Sequence, residues 1–164
     1  MGTSVDGWKY MKAEDAISGK EGALYATIDG EIKQVAECKN VSAKITKNKT
    51  DFKSLGYRGT QHKATGWSGT GTLVIHYATS TFAKMMIDYA KTGKDKYFTL
   101  QVINEDPTSG IGRQTINLYD VNLDESEVAK LDNDADFLDQ SMNFTFSDID
   151  MTDEFKQLPN INSW

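Results

Sequence analysis

The chain has 164 residues, of which 38% are hydrophobic and 26% charged, with two prolines and one cysteine. This length fits one domain with one hydrophobic core, and the composition excludes fibrous and disordered classes. The net charge of −6 argues against wrapping nucleic acid, since tight binding to phosphates needs a cationic surface. One cysteine excludes an intrachain disulfide and favours a reducing cytoplasm, and the lack of an apolar leader or span predicts a soluble protein without Sec export or a membrane anchor.

The first predicted elements are an arm and a β-hairpin. Residues 1–20 have no clear periodicity and are expected to form an N-terminal arm without a fold of its own. From Gly22 the apolar residues alternate, which predicts a strand up to Ile28. The pair Asp29-Gly30 is typical of a tight hairpin turn, and residues 31–36 are the expected returning strand.

The middle of the chain is predicted to contain two strands separated by an exposed segment. Val41, Ala43 and Ile45 alternate with polar residues, which indicates a strand with one buried face. Residues 47–71 are rich in Lys, Gly, Thr and Ser, so they are interpreted as a long loop or an extended hairpin. The run 72–77 (TLVIHY) is strongly β-prone and predicts a central strand.

One helix follows. Phe82, Met85, Met86 and Tyr89 have helical spacing, which predicts a helix whose apolar stripe belongs to the core. Thr79 or Ser80 is the expected N-terminal cap, and Gly93 the expected C-terminal stop.

The last third is predicted to be β-structure with one exception. Residues 97–103 and 114–123 are two expected strands, joined by a turn region at 104–113. Residues 125–131 are predicted to make a short helical turn, and 141–147 a final strand before a short tail. The predicted fold is mainly β: an antiparallel β-sandwich or barrel with one flanking α-helix.

No catalytic residue, metal site or cofactor is predicted. Residues 132–136 begin like a calcium-binding EF-hand loop, but Phe137 and Asn143 stand where that loop needs Gly and Glu. The glycines 66, 69 and 71 do not form a dinucleotide fingerprint, and we expect them to allow close approach of another backbone. His76, on an apolar strand, is predicted to be a core residue, and Cys38 a small buried side chain unless Lys39 lowers its pKa.

Charge is unevenly distributed along the chain. Residues 1–100 contain 15 Lys and Arg against 10 Asp and Glu, whereas residues 101–164 contain 3 against 14. Acidic residues are concentrated between positions 120 and 139, and lysines between 39 and 53. This pattern fits a solvated surface, or attraction between the basic edge of one copy and the acidic edge of another.

Several segments, in order and with similar spacing, resemble one known family. They are residues 18–22 (SGKEG), 62–66 (HKATG), 69–72 (GTGT), 81–82 (TF), 85–89 (MMIDY), 96–101 (KYFTLQ), 118–122 (LYDVN) and 144–148 (FTFSD). Together they make the chain similar to the PBSX-like phage tail tube proteins of defective prophages, contractile phages and diffocin-type bacteriocins. The match runs from residue 17 to about 155.

The resemblance implies a tail tube β-domain over residues 21–155, between the arm and a C-terminal tail at 156–164. It implies a fold shared with type VI secretion tubes and hexameric rings of identical copies that stack into a tube. The implied partners are other copies, a sheath protein, and tape-measure, baseplate and terminator proteins. DNA would pass through the bore without specific binding. The implied location is a virion tail or a released bacteriocin particle.

Three groups of candidate residues follow from this interpretation. Small polar side chains are predicted to face the bore: Ser42, Lys44, Thr46, Ser141, Asn143, Thr145 and Ser147. Charged residues are predicted to join copies and rings: Lys47, Lys49, Lys53, Arg58, Asp124, Glu125, Glu127, Asp132, Asp134 and Asp136. The helix face with Lys84, Asp88 and Lys91 is predicted to meet the sheath.

Two other interpretations also fit the sequence. A secretion-system tube that carries effectors would have the same fold, and neighbouring genes would distinguish it. A soluble ligand-binding β-barrel would stay monomeric around a roomy apolar cavity, for which the sequence has no surplus of inward aromatic residues.

Overall fold

The computed structural model describes residues 4–5 and 8–158. It confirms a mainly antiparallel β-fold with one α-helix. The strands are β1 (Ser4–Val5), β2 (Trp8–Lys9), β3 (Ala23–Ile28), β4 (Glu31–Gln34), β5 (Cys38–Phe52), β6 (Gln61–His76), β7 (Phe98–Glu105), β8 (Arg113–Ser126), β9 (Asp139–Phe146) and β10 (Asp148–Asp153). The helix α1 spans Thr81–Thr92, and Ala13–Asp15 form one 3-10 turn. No helix among the described residues is long and apolar enough to cross a membrane.

The chain divides into two compact units, and the first is built from residues up to 36, 99–118 and from 149 onward. Strand β3 pairs antiparallel with β4 and with β7, and β10 pairs with β8. The predicted Asp29-Gly30 turn is confirmed, since both residues have positive φ, 53° and 79°. Leu24, Ala26, Leu100 and Leu118 are buried, which gives this unit its apolar core.

The N-terminal segment is held in the first unit by hydrogen bonds. Asp15 is buried, and its carboxylate accepts the Gly110 N–H at 3.3 Å. The Ser18 N–H donates to Asp106 Oδ2 at 3.0 Å. Residues 15–18 are therefore fixed to the turn between β7 and β8. The predicted arm, 1–20, and tail, 156–164, lie partly outside the described residues.

The second unit contains residues 37–98 and 119–148. Strands β5, β6 and β9 follow one another in antiparallel order, with β8 next to β9. The side chains of one face pack into a core, which contains Leu73, Ile75, Met142, Phe144 and Phe146. The paired strands bury this face because their apolar residues alternate in register.

Helix α1 begins and ends where the sequence predicts, but its apolar stripe is mostly uncovered. Gly93 ends the helix in the left-handed region (φ 72°), and its N–H donates to the Tyr89 carbonyl. Only Phe82 is buried, against Phe98, while Met85 and Met86 are partly exposed and Tyr89 is exposed. The prediction that the whole stripe is core is wrong, since helical spacing shows which residues share a face and not whether another layer covers it.

The other differences in secondary structure fall in segments that β-strands extend into. Residues 125–131 make no helical turn, because β8 continues to Ser126 and an irregular segment follows. The strand predicted to be the last, 141–147, corresponds to β9, and a further strand, β10, follows it where a short tail was expected. The segment 47–71 is the extended hairpin and not the long loop, because β5 and β6 pair with each other as far as Phe52 and Gln61.

Candidate assembly surfaces

One face of the second unit is a continuous polar surface. Ser42 of β5 is paired with Thr72 of β6, and Thr72 is also paired with Asn143 of β9. Lys44, Thr70 and Thr145 form the next such row. Opposed residues point to the same face of a sheet, so the structure brings Ser42, Lys44, Thr46, Ser141, Asn143 and Thr145 together. We call this surface the polar face.

Strand β6 adds residues to the polar face that sequence reasoning missed. Ser68, Thr70 and Thr72 alternate along β6 and lie beside the predicted residues of β5. The alternation of hydroxyl residues with glycine and leucine could have identified them. Ser147, in contrast, lies just beyond β9, and its hydroxyl donates to Asp120 Oδ2 at 2.9 Å.

Two acidic residues predicted to join copies, Asp124 and Glu125, lie beside the polar face. Asn143 Nδ2 donates to Glu125 Oε1, and Thr72 donates to Asn143 Oδ1 at 3.3 Å. Asp124 sits at a register shift in β8, where it lines a depression of about 410 Å³ with Ser42 and Lys44. The polar face is therefore hydrogen-bonded and carries both signs of charge.

The second surface is a two-stranded ribbon, residues 46–68. The pairing of β6 with β9 ends at Gly69 and Phe146, so beyond this point β5 and β6 pair only with each other in the described chain. Every residue from 42 to 68 is exposed. The ribbon carries the predicted basic residues Lys47, Lys49, Lys53 and Arg58. Asp51 Oδ1 on one strand lies 2.9 Å from His62 Nδ1 on the other.

Apolar side chains stand uncovered on this ribbon. Leu55 at its tip is fully exposed, and Phe52, Tyr57 and Trp67 are also exposed. A two-stranded hairpin is marginally stable in water on its own, and large apolar side chains at its tip gain free energy when another surface covers them. The ribbon therefore has the properties of a surface that binds another molecule.

The third surface is the acidic loop, residues 127–138, between β8 and β9. Asp132, Asp134 and Asp136 are exposed, and the Asp134 N–H donates to Asp132 Oδ1 at 3.0 Å. Leu131 and Phe137 stand among these carboxylates with 97% and 84% of their surface exposed. Glu127, another residue predicted to join copies, forms an ion pair within the loop, with its Oε2 3.3 Å from Lys130 Nζ. Across the described residues, no three His, Cys, Asp or Glu side chains converge as metal ligands.

The fourth surface is the outer side of α1. Lys84, Asp88 and Lys91, the predicted sheath-facing residues, are all exposed, with Ile87 and Tyr89 beside them. The helix surface therefore combines charged and apolar side chains. Its role toward a sheath stays a prediction.

An ion cluster links the start of β5, the end of β6 and the start of β9. Lys39 Nζ lies 2.7 Å from Asp139 Oδ2, and His76 Nδ1 lies 3.3 Å from Asp139 Oδ1. The hydrogen bond from Lys39 holds the pKa of Asp139 below its ordinary value, with a smaller contribution from His76. The prediction that His76 is a core residue is wrong, because the strand alternation that buries Ile75 turns His76 outward.

The environments of Cys38 and of the glycines of β6 differ in part from those predicted from the sequence. Cys38 is half-buried, and this burial raises the pKa of its thiol, so Lys39 does not activate it. Gly69 and Gly71 leave space for the rings of Phe146 and Phe144. The predicted close backbone is present at Gly71, near the Ser42 carbonyl.

The family follows from comparison with known sequences. The profile of the family described as phage tail tube protein matches residues 9–153. The chain therefore belongs to the phage tail tube protein family, and its role is that of a structural tube subunit. This confirms the predicted family.

Two proteins of Bacillus subtilis strain 168 are similar over most of their length. The uncharacterised protein YqbM is 44% identical over 146 residues, which are 89% of this chain and 97% of that protein. The phage-like element PBSX protein XkdM is 44% identical over 144 residues, 88% of this chain and 95% of that protein.

Two cryo-EM structures contain chains of similar fold. One is the anti-feeding prophage baseplate, with a TM-score of 0.62 and 12% identity, covering 83% of this chain and 94% of that chain. The other is the PVC sheath-tube complex in its extended state, with a TM-score of 0.62 and 13% identity, covering 85% and 93%. At these identities the likeness shows the fold, which confirms the predicted fold class.

Proposed function

We propose that copies of this chain close into six-membered rings, which stack to form the inner tube of a contractile injection particle. The observation that carries the proposal is the ribbon, residues 46–68. It exposes every side chain, including Leu55 and Phe52, and leaves one edge of each strand unpaired among the described residues. Exposed strand edges pair readily with a further strand, and a second copy supplies one.

Two further observations support assembly between copies. The ribbon carries four predicted basic contacts, and the acidic loop carries exposed carboxylates around Leu131 and Phe137. A basic and an acidic surface, each with uncovered apolar side chains, are complementary in both charge and hydrophobicity. We assign the ribbon of one copy to the acidic loop of a copy in the next ring.

The polar face is assigned to the bore of the tube. Its hydroxyl and carboxamide side chains, such as Thr70, Thr72 and Asn143, offer little apolar surface to which a passing polymer could adhere. Lys44 and Asp124 line the same depression, and Glu125 accepts a hydrogen bond from Asn143, so both signs of charge are present. DNA or a tape-measure protein would therefore pass without specific binding.

The partners of the tube are proposed from its relatives. A chain of the same fold occurs in a structure described as a sheath-tube complex, and another in a six-fold symmetrised baseplate. We assign sheath, baseplate and terminator contacts to this chain by analogy, with the α1 face around Lys84, Asp88 and Lys91 toward the sheath. The particle is a phage tail or a bacteriocin, made in the bacterial cytoplasm.

Electron microscopy of the concentrated protein, seeded with its baseplate complex, tests the proposal. The expected result is a hollow tube with six-fold symmetry. Leu55→Ser should abolish or strongly reduce tube formation, because it removes the apolar tip of the ribbon. Ile32→Ser is the matched control: Ile32 on β4 is 73% exposed and belongs to none of the proposed contacts, so this variant should assemble normally.

Other outcomes would contradict the proposal. Wild-type protein that remains as separate subunits after seeding would refute the proposed assembly into stacked six-membered rings. Equal assembly of Leu55→Ser and Ile32→Ser would refute the role of the ribbon.

A further inference from the structure

Two apolar surfaces of the second unit lie uncovered, and the contacts proposed above use neither of them. The first is on α1 and consists of Met85, Met86 and Tyr89, which we call the helix stripe. The first turn of α1 is held by Phe82, whose ring packs against Phe98. Beyond that turn the helix gains exposure, until every residue from 87 to 92 is exposed. The second half of α1 is therefore not packed on the core that holds its first turn.

The helix stripe and the charged residues of α1 lie on opposite sides of the helix. At about 3.6 residues per turn, Met86 and Tyr89 lie above Phe82, whereas Lys84 and Lys91 fall about half a turn away. Tyr89 keeps 52% of its surface exposed. An exposed apolar surface gains free energy when another surface covers it. The side of α1 that favours an apolar partner is thus the side turned away from the proposed sheath contact.

The second surface is a row of side chains on β5 that consists of Val41, Ala43 and Ile45, which we call the β5 row. They are paired with Leu73, Gly71 and Gly69 of β6. Since paired residues point to the same face, the β5 row continues the apolar side of the sheet, opposite the polar face. Leu73 is fully buried, but Ala43 is exposed and Ile45 keeps 48% of its surface exposed. The layer that covers β6 therefore does not reach β5.

The two surfaces match in length and in chemistry. With twelve residues, α1 is about 18 Å long, and residues 41–45 of a strand extend over about 16 Å. Both surfaces are apolar and uncharged. A helix laid on the apolar face of a sheet is one of the stable ways to cover such a face. The helix stripe is therefore a suitable second layer for the β5 row.

The chain does not make this contact within one copy. Both surfaces belong to the same compact unit, and the part of the chain that the structure describes leaves both uncovered. A second copy can cover them. When the helix of one copy packs on the sheet of the next, each pair still has one free helix and one free sheet face, so the contact repeats and closes into a ring if the rotation between copies fits.

The position of the β5 row also favours a second copy as the partner. Strand β5 is the last strand in its sheet, and among the described residues its outer edge pairs with no other strand. An open edge of this kind is where a further copy is expected to pair. A copy that meets the edge of β5 lies directly beside the β5 row.

We propose that α1 of one copy packs its helix stripe on the β5 row of the neighbouring copy in the same ring. The inference rests on the proposed function, which requires a contact within each ring, and it names the two surfaces that form this contact. Tyr89 and the two methionines then cover Ile45 of the neighbour. The charged side of α1 stays free for the sheath, and the ribbon stays the contact between rings.

Two single-cysteine proteins test the contact directly. Both contain Cys38→Ser, which removes the one natural cysteine, and one adds Ile45→Cys while the other adds Tyr89→Cys. Tubes grown from an equal mixture should give covalent dimers with a short bis-maleimide. Tubes of either protein alone, and the mixture kept below the assembly concentration, should give none.

Two results of the cross-linking would overturn the proposal. Dimers in tubes of the Tyr89→Cys protein alone would show that two helices meet each other. Mixed tubes without dimers would show that the helix stripe and the β5 row lie apart, and would leave the stripe to a protein outside the tube.

The protein concentration at which seeded tubes form gives a second measurement, without cysteine variants. Tyr89→Ser should raise this concentration by about tenfold or more, because it removes the largest apolar group of the helix stripe. Ile87→Ser is the matched control: Ile87 is exposed to 44%, but it lies on the side of the charged residues, so the concentration should not change. Both positions are exposed, so both variants should fold.

The assembly measurement separates this inference from the proposed function. If wild-type protein forms tubes and Tyr89→Ser forms them as readily as Ile87→Ser, this inference fails while the proposed function stands. If wild-type protein forms no tubes, the proposed function fails, and this inference fails with it.

Discussion

The ring of Phe144 occupies the space into which a Cβ atom on Gly71 would project. Such an atom would lie 2.6 Å from Cε2 of Phe144 and 2.7 Å from the Ser42 carbonyl oxygen. Phe144 is fully buried, so its ring has little room to move. Gly71 is therefore required by the packing of β9 on β6, and not by a turn.

Gly71→Ala is expected to destabilise the protein for this reason. Overpacking in a core costs about 1–3 kcal/mol, which exceeds the roughly 0.5–1 kcal/mol that alanine gains over glycine in a strand. Gly66→Ala on the same strand is the control, because its Cβ would meet only Asn48 Nδ2, at 4.0 Å. Urea denaturation below the assembly concentration should give a lower free energy of unfolding for the first variant only. Equal stabilities would show that Phe144 relaxes freely.

Charge reversal on the ribbon is expected to prevent assembly. Changing Lys47, Lys49 and Lys53 to Glu places like charges opposite the acidic loop of the next copy. A combined variant that also changes Asp132, Asp134 and Asp136 to Lys should restore the attraction. Sedimentation would measure the assembled fraction. The control changes Lys33, Lys84 and Lys91 to Glu, which alters the net charge by the same amount. This control variant should still self-assemble. Unchanged assembly of the ribbon variant would rule out the electrostatic contact.

Acid is expected to weaken the attachment of the N-terminal segment through Asp106. Hydrogen bonds from the Thr108 hydroxyl and from the Ser18 and Thr108 N–H groups lower the pKa of Asp106. A carboxyl group with a lowered folded-state pKa stabilises the fold above its unfolded pKa of about 3.9. That contribution is lost as the pH falls through the lower folded value.

Melting temperatures of wild type and Asp106→Asn, measured from about pH 6 downward, test this expectation. The variant should be less stable near neutral pH, and the difference should shrink below about pH 4, where the wild-type carboxyl group takes up its proton. Glu14→Gln, an exposed residue near the same segment, is the control and should show no such convergence. A difference that stays constant with pH would contradict the role of the carboxylate.

The sequence predicted those elements whose signals are local. The Asp29-Gly30 turn and the Gly93 helix stop depend on backbone conformations that few residues tolerate, so a dipeptide or a single glycine identifies them. Six of the seven residues predicted for the bore lie on the polar face, because strand alternation assigns side chains to faces. The contribution of β6 to that face was missed because its glycines made the segment look like a loop.

Contacts between distant residues could not be predicted in this way. Lys39 and Asp139 are 100 positions apart and meet only because β5, β6 and β9 align in one register. The unpaired Gln140 Oε1 depends on where the loop after β8 passes α1. A sequence pattern contains no information on such approaches, since each needs the path of two separate segments.

What this sequence by itself determined is the alternation of each strand, the ends of α1, the separation of charge along the chain and the family. The tertiary structure alone decided which of the apolar faces are covered. Periodicity places Ile45 and Tyr89 on apolar faces, yet both remain exposed while Leu73 and Phe144 are buried. The physical reason is that a repeat of apolar residues orients side chains toward one side, whereas burial requires a second layer on that side.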